Sequence, residues 1–187
     1  MPGLDPGTSC RGNEAGGSRT TATPDAPLFA CRALLPEDAQ AAATLIRLAF
    51  SHQSVQTDPP SAALRETTET ISAAITEDGG ACIAAETELV GVVLWAEKES
   101  GLYFGRLAVR PDWRGRGIAR MLIAAVESEA RRRSLPRVHC SARLTLADNR
   151  RLFAACGYRE TELRTHDGYA KPTSVVMEKR IRNRPGS

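Results

Sequence analysis

In residues 103–133 the spacing of the apolar positions changes from that of a β-strand to that of an α-helix. Residues 103–110 form an apolar run compatible with a β-strand, and Pro111 ends it because proline cannot donate to a sheet ladder. Beyond two glycines the apolar residues recur at helical spacing, at Ile118, Met121, Leu122, Ala125 and Val126. Arginines at 131–133 follow, where positive charge suits the C-terminal end of a helix. The stretch predicts a strand, a loop and a helix.

The other apolar patterns predict an α/β chain. Six more strands are expected at 28–34, 81–86, 89–97, 137–144, 158–164 and 173–181. Three more helices are expected: one opened by Pro36, one that carries Leu64, Ile71 and Ile75, and one over 146–156. Residues 1–27 are rich in Gly, Pro, Ser and Thr and have almost no apolar residues, which predicts a disordered tail before a single domain at 28–183.

Composition and charge narrow the class of protein. The 187 residues carry a net charge of +3 and no long basic run, so no nucleic acid partner is expected. No apolar stretch is long enough to span a bilayer, so no membrane partner is expected. The five cysteines are scattered, odd in number and without Cys-x-x-Cys spacing. This usage predicts reduced thiols in a cytoplasmic protein, with neither a disulfide framework nor a metal site.

The loop between strand and helix has the composition of an anion site. A helix start leaves its first backbone N–H groups without partners, and glycines allow those groups to approach a phosphate closely. Gly115 and Gly117 lie in this loop, and Arg114, Arg116 and Arg120 add three cations around it. The combination favours a phosphate or pyrophosphate site over the alternative, a basic solvated turn before a surface helix.

Three phosphate-binding motifs compete for this loop. A P-loop requires Gly-Lys-Ser/Thr at its end, and the loop has no lysine. A Rossmann fingerprint requires a third glycine or alanine where Arg120 stands, and an acid after the next strand, near Cys140-Ser141, where none occurs. Residues 114–119, Arg-Gly-Arg-Gly-Ile-Ala, match the pattern Gln/Arg-x-x-Gly-x-Gly/Ala without alteration.

That pattern resembles the acyl-CoA pyrophosphate motif of the GNAT superfamily of N-acetyltransferases. The preceding Leu-Ala-Val-Arg-Pro at 107–111, and Asn149 followed by Gly157-Tyr158, are also typical of this family, and the resemblance extends over residues 28–181. It implies the GNAT fold of the α/β class: a mixed, mostly antiparallel sheet of six or seven strands, flanked by about four helices. Two parallel strands of this fold, here 102–110 and 137–144, splay apart to bind acyl-CoA.

The resemblance also implies an activity. The expected reaction transfers an acetyl group from the co-substrate acetyl-CoA to a primary amine of a small molecule or peptide, by direct attack and without a metal. Members of the family often form homodimers, so a dimer stays open here. The residues implied in cofactor binding are Leu107, Ala108, Val109, Arg114, Gly115, Arg116, Gly117, Ile118, Ala119, Arg120, Asn149 and Phe153. Asn149 also has a structural interpretation, as the N-cap of its helix.

The residues that move protons are less clear from the sequence. Many relatives have a tyrosine that protonates the departing thiolate, and Phe153 stands at that position here. The leading candidates for the general base that accepts a proton from the amine are Tyr103, His139 and His166, and Ser141, Glu97 and Glu99 are further ones. Loops 50–62 and 164–172 are expected to choose the acceptor, through residues such as Phe50, His52, Gln53 and Gln56, with acidic side chains such as Glu66 and Glu99 as candidates to attract a cationic amine. The second functional hypothesis is a non-catalytic acyl-CoA-binding module.

Overall fold

Residues 29–182 are described by a computed structural model, so the tail predicted at 1–27 lies outside the described residues. Within this range seven strands occur in chain order: β1 Ala30–Ala33, β2 Gly80–Ala85, β3 Glu88–Lys98, β4 Gly101–Val109, β5 Arg137–Arg143, β6 Arg159–Arg164 and β7 Ser174–Arg180. The same range contains four α-helices: α1 Ala39–Ser51, α2 Thr68–Glu77, α3 Ile118–Arg132 and α4 Ala147–Ala155. The predicted strand bounds are right to within two residues.

The strands form one mixed sheet in the order β1-β2-β3-β4-β5-β7-β6. All neighbours are antiparallel except β4 and β5, which are parallel. Helices α1 and α2 cover one face and bury residues such as Ile46 and Ile71 against it. Helix α3 covers the other face together with α4, and its Ile118 and Leu122 belong to the same buried core as Phe104. The predicted α/β fold class is confirmed, and no described helix combines the length and apolarity needed to cross a membrane.

The predicted second helix is wrong at its start. A 3₁₀ turn at Ala62–Arg65 precedes α2, and Leu64 is 39% exposed on this turn instead of buried on the helix. The physical reason is a capping box at Thr67, whose hydroxyl accepts from the Thr70 N–H at 3.3 Å while the Thr67 N–H donates to the Thr70 hydroxyl at 3.0 Å. These bonds fix the start of α2 at Thr68, so the preceding residues are not part of the helix.

The parallel strands β4 and β5 pair only at their beginnings. Their register joins Leu102 to Val138 and Tyr103 to His139, and no later pair joins these two fully described strands. The remainder of β4 therefore has backbone groups that face a gap instead of a neighbouring strand. This is the splay that the family resemblance implies.

A β-bulge in β4 accompanies the splay. Leu94 of β3 opposes Gly105 whereas Val92 opposes Ala108, so β4 has two residues between these pairs where β3 has one, which is one extra residue on β4. Arg106 in this bulge has a φ of 52°, a left-handed conformation that is uncommon for a side-chain-bearing residue. Because a bulge bends its strand and increases the local twist, it turns the end of β4 away from β5.

An ion-pair cluster at the end of α3 gives a prediction about stability and pH. The Glu129 carboxylate accepts hydrogen bonds of 2.7 Å from Arg132 and from Arg133, and these arginines lower its pKa from 4.5 to about 2. A lowered folded-state pKa means that the contribution to stability is present above about pH 4.5 and lost as pH falls toward about 2. Because Arg132 is exposed, we expect Glu129→Gln to cost about 1 kcal/mol at pH 7.

Urea unfolding of the wild type and Glu129→Gln at neutral pH and at about pH 3 measures this contribution. The difference in unfolding free energy should shrink to less than half at the lower pH. Glu77→Gln is the matched control, because Glu77 is an exposed helix carboxylate without an ion pair among residues 29–182. A Glu129→Gln difference that is constant across this pH range would contradict the assignment.

Candidate active site

A cleft of about 520 Å³ occupies the gap between β4 and β5. The two strands line it with Tyr103, Phe104, Gly105, Arg106, Leu107, Val109, Cys140, Ser141, Ala142 and Arg143. The helices add Ala119 of α3, Leu146 at the N-cap of α4, and Asn149, Leu152 and Phe153 within α4. The rest of the lining comes from the end of α1, the loop and 3₁₀ turn that follow it, and the β6–β7 loop: Phe50, Gln53, Thr57, Pro59, Pro60, Ser61, Ala62, Arg65 and His166. The cleft thus joins the predicted acyl-CoA gap to both predicted acceptor loops.

Backbone groups of β4 are directed into this gap. The Arg110 N–H donates to the Val90 carbonyl at 3.0 Å, toward β3. Since successive N–H groups of a strand point in opposite directions, the N–H and carbonyl of Val109 point away from β3, toward β5. Val109 is half-buried, and a ligand with amide groups can supply hydrogen-bond partners to its backbone groups.

The glycine loop precedes α3 and has the backbone geometry that an anion site requires. Gly117 is the N-cap with a φ of 82°, and Gly115 also has a positive φ, of 78°. The first intrahelical bond runs from the Met121 N–H to the Gly117 carbonyl at 3.1 Å, so the N–H groups of residues 118–120 have no acceptor within the helix. A Cβ added at either glycine would meet no protein atom within 4 Å, so the space above the loop is open.

The three arginines of the loop have different surroundings. Arg114 donates to the Ala49 carbonyl at 3.0 Å and to the His52 carbonyl at 2.9 Å, so its guanidinium fastens the loop to the end of α1. The Arg116 guanidinium lies 4.5 Å from the ring centre of Trp113, a cation–π contact. Arg120 is exposed in the first turn of α3. Two of these cations therefore have local structural roles that the sequence pattern did not indicate.

Asn149 does not cap its helix. Leu146 is the N-cap of α4 without a side-chain cap bond, and Asn149 lies three residues inside the helix. The predicted N-cap role is therefore wrong, because α4 begins two residues before the asparagine. Asn149 instead lines the cleft, as do Leu107, Val109, Ala119 and Phe153, whereas the side chains of Ala108 and Ile118 are buried in the two cores.

Tyr103 brings a phenol hydroxyl to the cleft. Its side chain leans along β4 over Gly105, so that a Cβ added to Gly105 would lie 3.5 Å from the Tyr103 oxygen. The hydroxyl therefore lies where a side chain at position 105 would begin. Burial raises the pKa of Tyr103, with a further contribution from Cys140. The phenol accordingly carries its proton at neutral pH and is suited to donate a hydrogen bond.

His139 lies behind Tyr103 and does not line the cleft. It is only 3% exposed, and its ring packs edge-on against the Tyr103 ring with centres 5.5 Å apart. Its Nδ1 is buried without a hydrogen-bond partner in the described part of the chain, and its Nε2 lies 3.9 Å from a Glu99 carboxylate oxygen. Burial lowers the pKa of His139, and the Arg137 cation lowers it further, so the ring is neutral at pH 7.

His166 lines the cleft from the β6–β7 loop, and its ring is held by two neighbours. Its Nδ1 lies 3.3 Å from a terminal nitrogen of Arg143 and also contacts the Thr173 hydroxyl. Because a guanidinium only donates, Nδ1 accepts, and the neutral ring carries its hydrogen on Nε2. The one basic nitrogen of the neutral ring is therefore already occupied.

The acidic residues considered for an acceptor amine are paired elsewhere. Glu66 accepts from Arg106 at 2.5 Å and from the Thr70 hydroxyl at 2.7 Å. Glu99, in the turn between β3 and β4, lies 3.3 Å from Arg164, whose guanidinium lowers the pKa of that carboxyl. Neither carboxylate lines the cleft. In the described ranges no cluster of three or more His, Cys, Asp or Glu side chains is arranged to hold a metal ion.

Sequence reasoning missed three cations of the cleft, Arg65, Arg106 and Arg143. Arg143 follows His139 and Ser141 on the polar face of β5, and this alternation was a usable signal. Arg65 had no comparable signal, because the 3₁₀ turn that brings it to the cleft was predicted as part of a helix.

Solved structures share this architecture. The ribosomal-protein-S18-alanine N-acetyltransferase from Escherichia coli matches with a TM-score of 0.67 at 17% identity, over 84% of this chain and 96% of that one. The protein yncA from Salmonella typhimurium, solved with its cofactor acetyl-CoA, matches with a TM-score of 0.66 at 15% identity, over 85% and 97%. The PaiA N-acetyltransferase from Thermoplasma acidophilum, in complex with coenzyme A, matches with a TM-score of 0.68 at 15% identity, over 81% and 98%.

At these identities the likeness shows the fold alone. No curated protein matches the chain in sequence. The sequence model of the acetyltransferase (GNAT) family, however, matches residues 43–158, which is more than half of the chain. The resemblance carried by the glycine loop is therefore confirmed, and the protein belongs to the GNAT family of acetyltransferases.

Proposed function

We propose that the protein transfers the acetyl group of acetyl-CoA to a primary amine by direct attack in a ternary complex. The observation that carries this proposal is the cleft between β4 and β5, which extends to Ala119 of α3 and past Tyr103 to both acceptor loops. The open N-terminus of α3 suits the pyrophosphate, because its N–H groups lack acceptors and its glycines leave room. The unpaired edge of β4 suits the amide groups of pantetheine.

Transfer of the acetyl group requires such a site to do three things. The thioester and amine must be held together, the oxyanion must be stabilised, and a proton must leave the amine. The N–H of Val109, directed toward the gap, is our candidate donor to the thioester oxygen. Asn149 and Leu107, which line the cleft, are our candidates to contact the pantetheine arm.

Tyr103 is our candidate for the group that protonates the departing thiolate. Its side chain lines the cleft, and its hydroxyl keeps its proton because burial raises the pKa. Phe153, which replaces the usual tyrosine, packs against Phe104 with ring centres 5.7 Å apart and has no proton to give. His139 supports the Tyr103 ring from behind, and His166 positions neighbouring groups instead of acting as the base, since its Nδ1 is occupied. Water is left to accept the proton of the amine.

The second candidate function is a module that binds acyl-CoA without transferring it. The absence of a tyrosine at Phe153 and of a carboxylate among the described cleft residues favours this alternative. It predicts the same CoA affinity as the enzyme but no release of thiol with any amine.

Isothermal titration with acetyl-CoA tests the step that both functions share. Saturable one-to-one binding in the micromolar range is expected, with an affinity that weakens as salt rises because the loop cations meet phosphates. A protein that gives no heat up to high micromolar acetyl-CoA would overturn both functions and the assignment of the cleft.

A further inference from the structure

The acceptor end of the cleft is positively charged. Its described lining residues include Arg65, Arg106 and Arg143 but no aspartate or glutamate. Arg106 is neutralised by Glu66 at 2.5 Å, outside the lining. Two arginines are left that face the cleft without an ion pair in the region 29–182, and these are Arg143 and Arg65.

Arg143 is held at the cleft with donors to spare. One terminal nitrogen donates to the Pro59 carbonyl at 2.9 Å, and the other approaches His166 Nδ1 at 3.3 Å. A guanidinium has five N–H donors, so three remain without a described partner. The nearby Asp58 carboxylate accepts the Tyr169 hydroxyl and lies beyond ion-pair distance of Arg143. Burial lowers the pKa of Arg143, which still stays charged at neutral pH.

Arg65 lines the same cleft from the 3₁₀ turn that follows Pro60. It ends the 3₁₀ turn Ala62–Arg65, is exposed, and makes no side-chain hydrogen bond to residues 29–182. Two cations thus face a cleft of about 520 Å³ that must also admit the end of the acyl-CoA. Guanidinium groups that have no carboxylate partner within the protein are suited to bind an anionic group of a ligand.

We propose that the acceptor is a small amine that carries a carboxylate, as amino acids do, and that Arg143 and Arg65 bind this carboxylate beside the thioester. This inference rests on the proposed acetyl transfer and names its class of substrate. A planar guanidinium binds a carboxylate through two parallel hydrogen bonds, which fixes the orientation of the molecule as well as its presence. The cation pair also disfavours amines that carry only positive charge, because those gain no partner and meet two like charges.

The first test measures binding of the reaction products and needs no turnover. N-acetyl derivatives of glycine, alanine, leucine, phenylalanine, lysine and glutamate, and the methylamide of each, are titrated into the protein saturated with CoA. At least one free acid should bind about tenfold or more tightly than its methylamide. Equal binding of acids and methylamides, or binding by none of them, overturns the carboxylate assignment. Failure of CoA itself to bind would instead overturn the proposed function.

Variants then assign the effect to the two arginines. Arg143→Gln and Arg65→Gln should each lower the preference for acids at least about threefold, and Arg143→Lys should keep part of it because the charge remains. Arg159→Gln, an exposed arginine on β6 outside the cleft, makes the same change in net charge and should alter nothing.

Two further readouts separate carboxylate binding from other roles. If Arg143→Gln merely loosens the loop at Pro59, acids and methylamides should weaken equally, and Arg65→Gln should have no effect; that pattern overturns the proposal. If the arginines serve CoA phosphates, both variants should weaken CoA binding by the same factor as acid binding, which also overturns it. Unchanged CoA affinity with a lost preference for acids supports it.

Discussion

Replacing Gly117 by glutamate is expected to weaken acetyl-CoA binding by at least about 100-fold. Gly117 is the N-cap of α3, and the N–H groups that follow it have no acceptor within the helix. A carboxylate there occupies the open space above the loop and repels the pyrophosphate. At about 5 Å and an effective dielectric constant of about 20, this repulsion is about 3 kcal/mol, and that energy corresponds to about 100-fold in affinity.

The matched control for this variant is Gly168→Glu. Gly168 has a φ of 83°, against 82° for Gly117, and a Cβ added at either residue meets nothing within 4 Å. Both variants therefore carry the same backbone strain and the same change in charge, but only one lies at the start of α3. Titration calorimetry on both, after thermal unfolding confirms that each folds, isolates the loop. If the two variants bind acetyl-CoA with equal affinity, the assignment of the pyrophosphate site to Gly117 is wrong.

Replacing Tyr103 by phenylalanine is expected to lower kcat by about 100-fold and to leave the KM for acetyl-CoA unchanged. The substitution removes one oxygen and keeps the ring that packs against His139. Positioned acids contribute about 10²–10⁴-fold to proton transfer, and the lower end applies because a thiolate is a fair leaving group even without an acid. Since the raised pKa keeps the phenol protonated, the loss should be the same from about pH 6 to about pH 9.

The pH profile and a second tyrosine make this prediction specific. Tyr158→Phe removes a buried hydroxyl that has no hydrogen-bond partner in residues 29–182 and does not line the cleft, so its kcat should match the wild type. A wild-type kcat that climbs steeply with pH toward ionisation of the phenol would indicate that Tyr103 acts as a base. A Tyr103→Phe enzyme with full activity would remove Tyr103 from the mechanism.

The strand, glycine loop and helix could be predicted because each is determined locally. Pro111 stops the strand, Gly117 supplies the left-handed cap, and the apolar residues from Ile118 onward fix the buried side of α3. The same locality explains why the strand bounds were right to within two residues. Where local signals competed, the prediction failed: the Thr67 capping box overrode the helical spacing that joined Leu64 to Ile71.

The parts of the site that depend on tertiary contacts could not be predicted from the sequence. Arg114 fits a pyrophosphate motif, yet its guanidinium binds carbonyls at the end of α1, some 60 residues earlier in the chain. Arg106 pairs with Glu66 across the fold, which removes both from the list of free charges at the acceptor end. The charge of the cleft is therefore opposite to the one that acidic loop residues suggested.

The measurement that tests the central claim most directly is thiol release from acetyl-CoA with a panel of amines, amino acids and N-terminal peptides. Mass spectrometry of the same mixtures detects any N-acetylated product. We predict thiol release that depends on the acceptor, matches the amount of acetylated amine, and is lost in Gly117→Glu. Saturable binding of acetyl-CoA with no release above hydrolysis for any acceptor would contradict the account and favour a binding module.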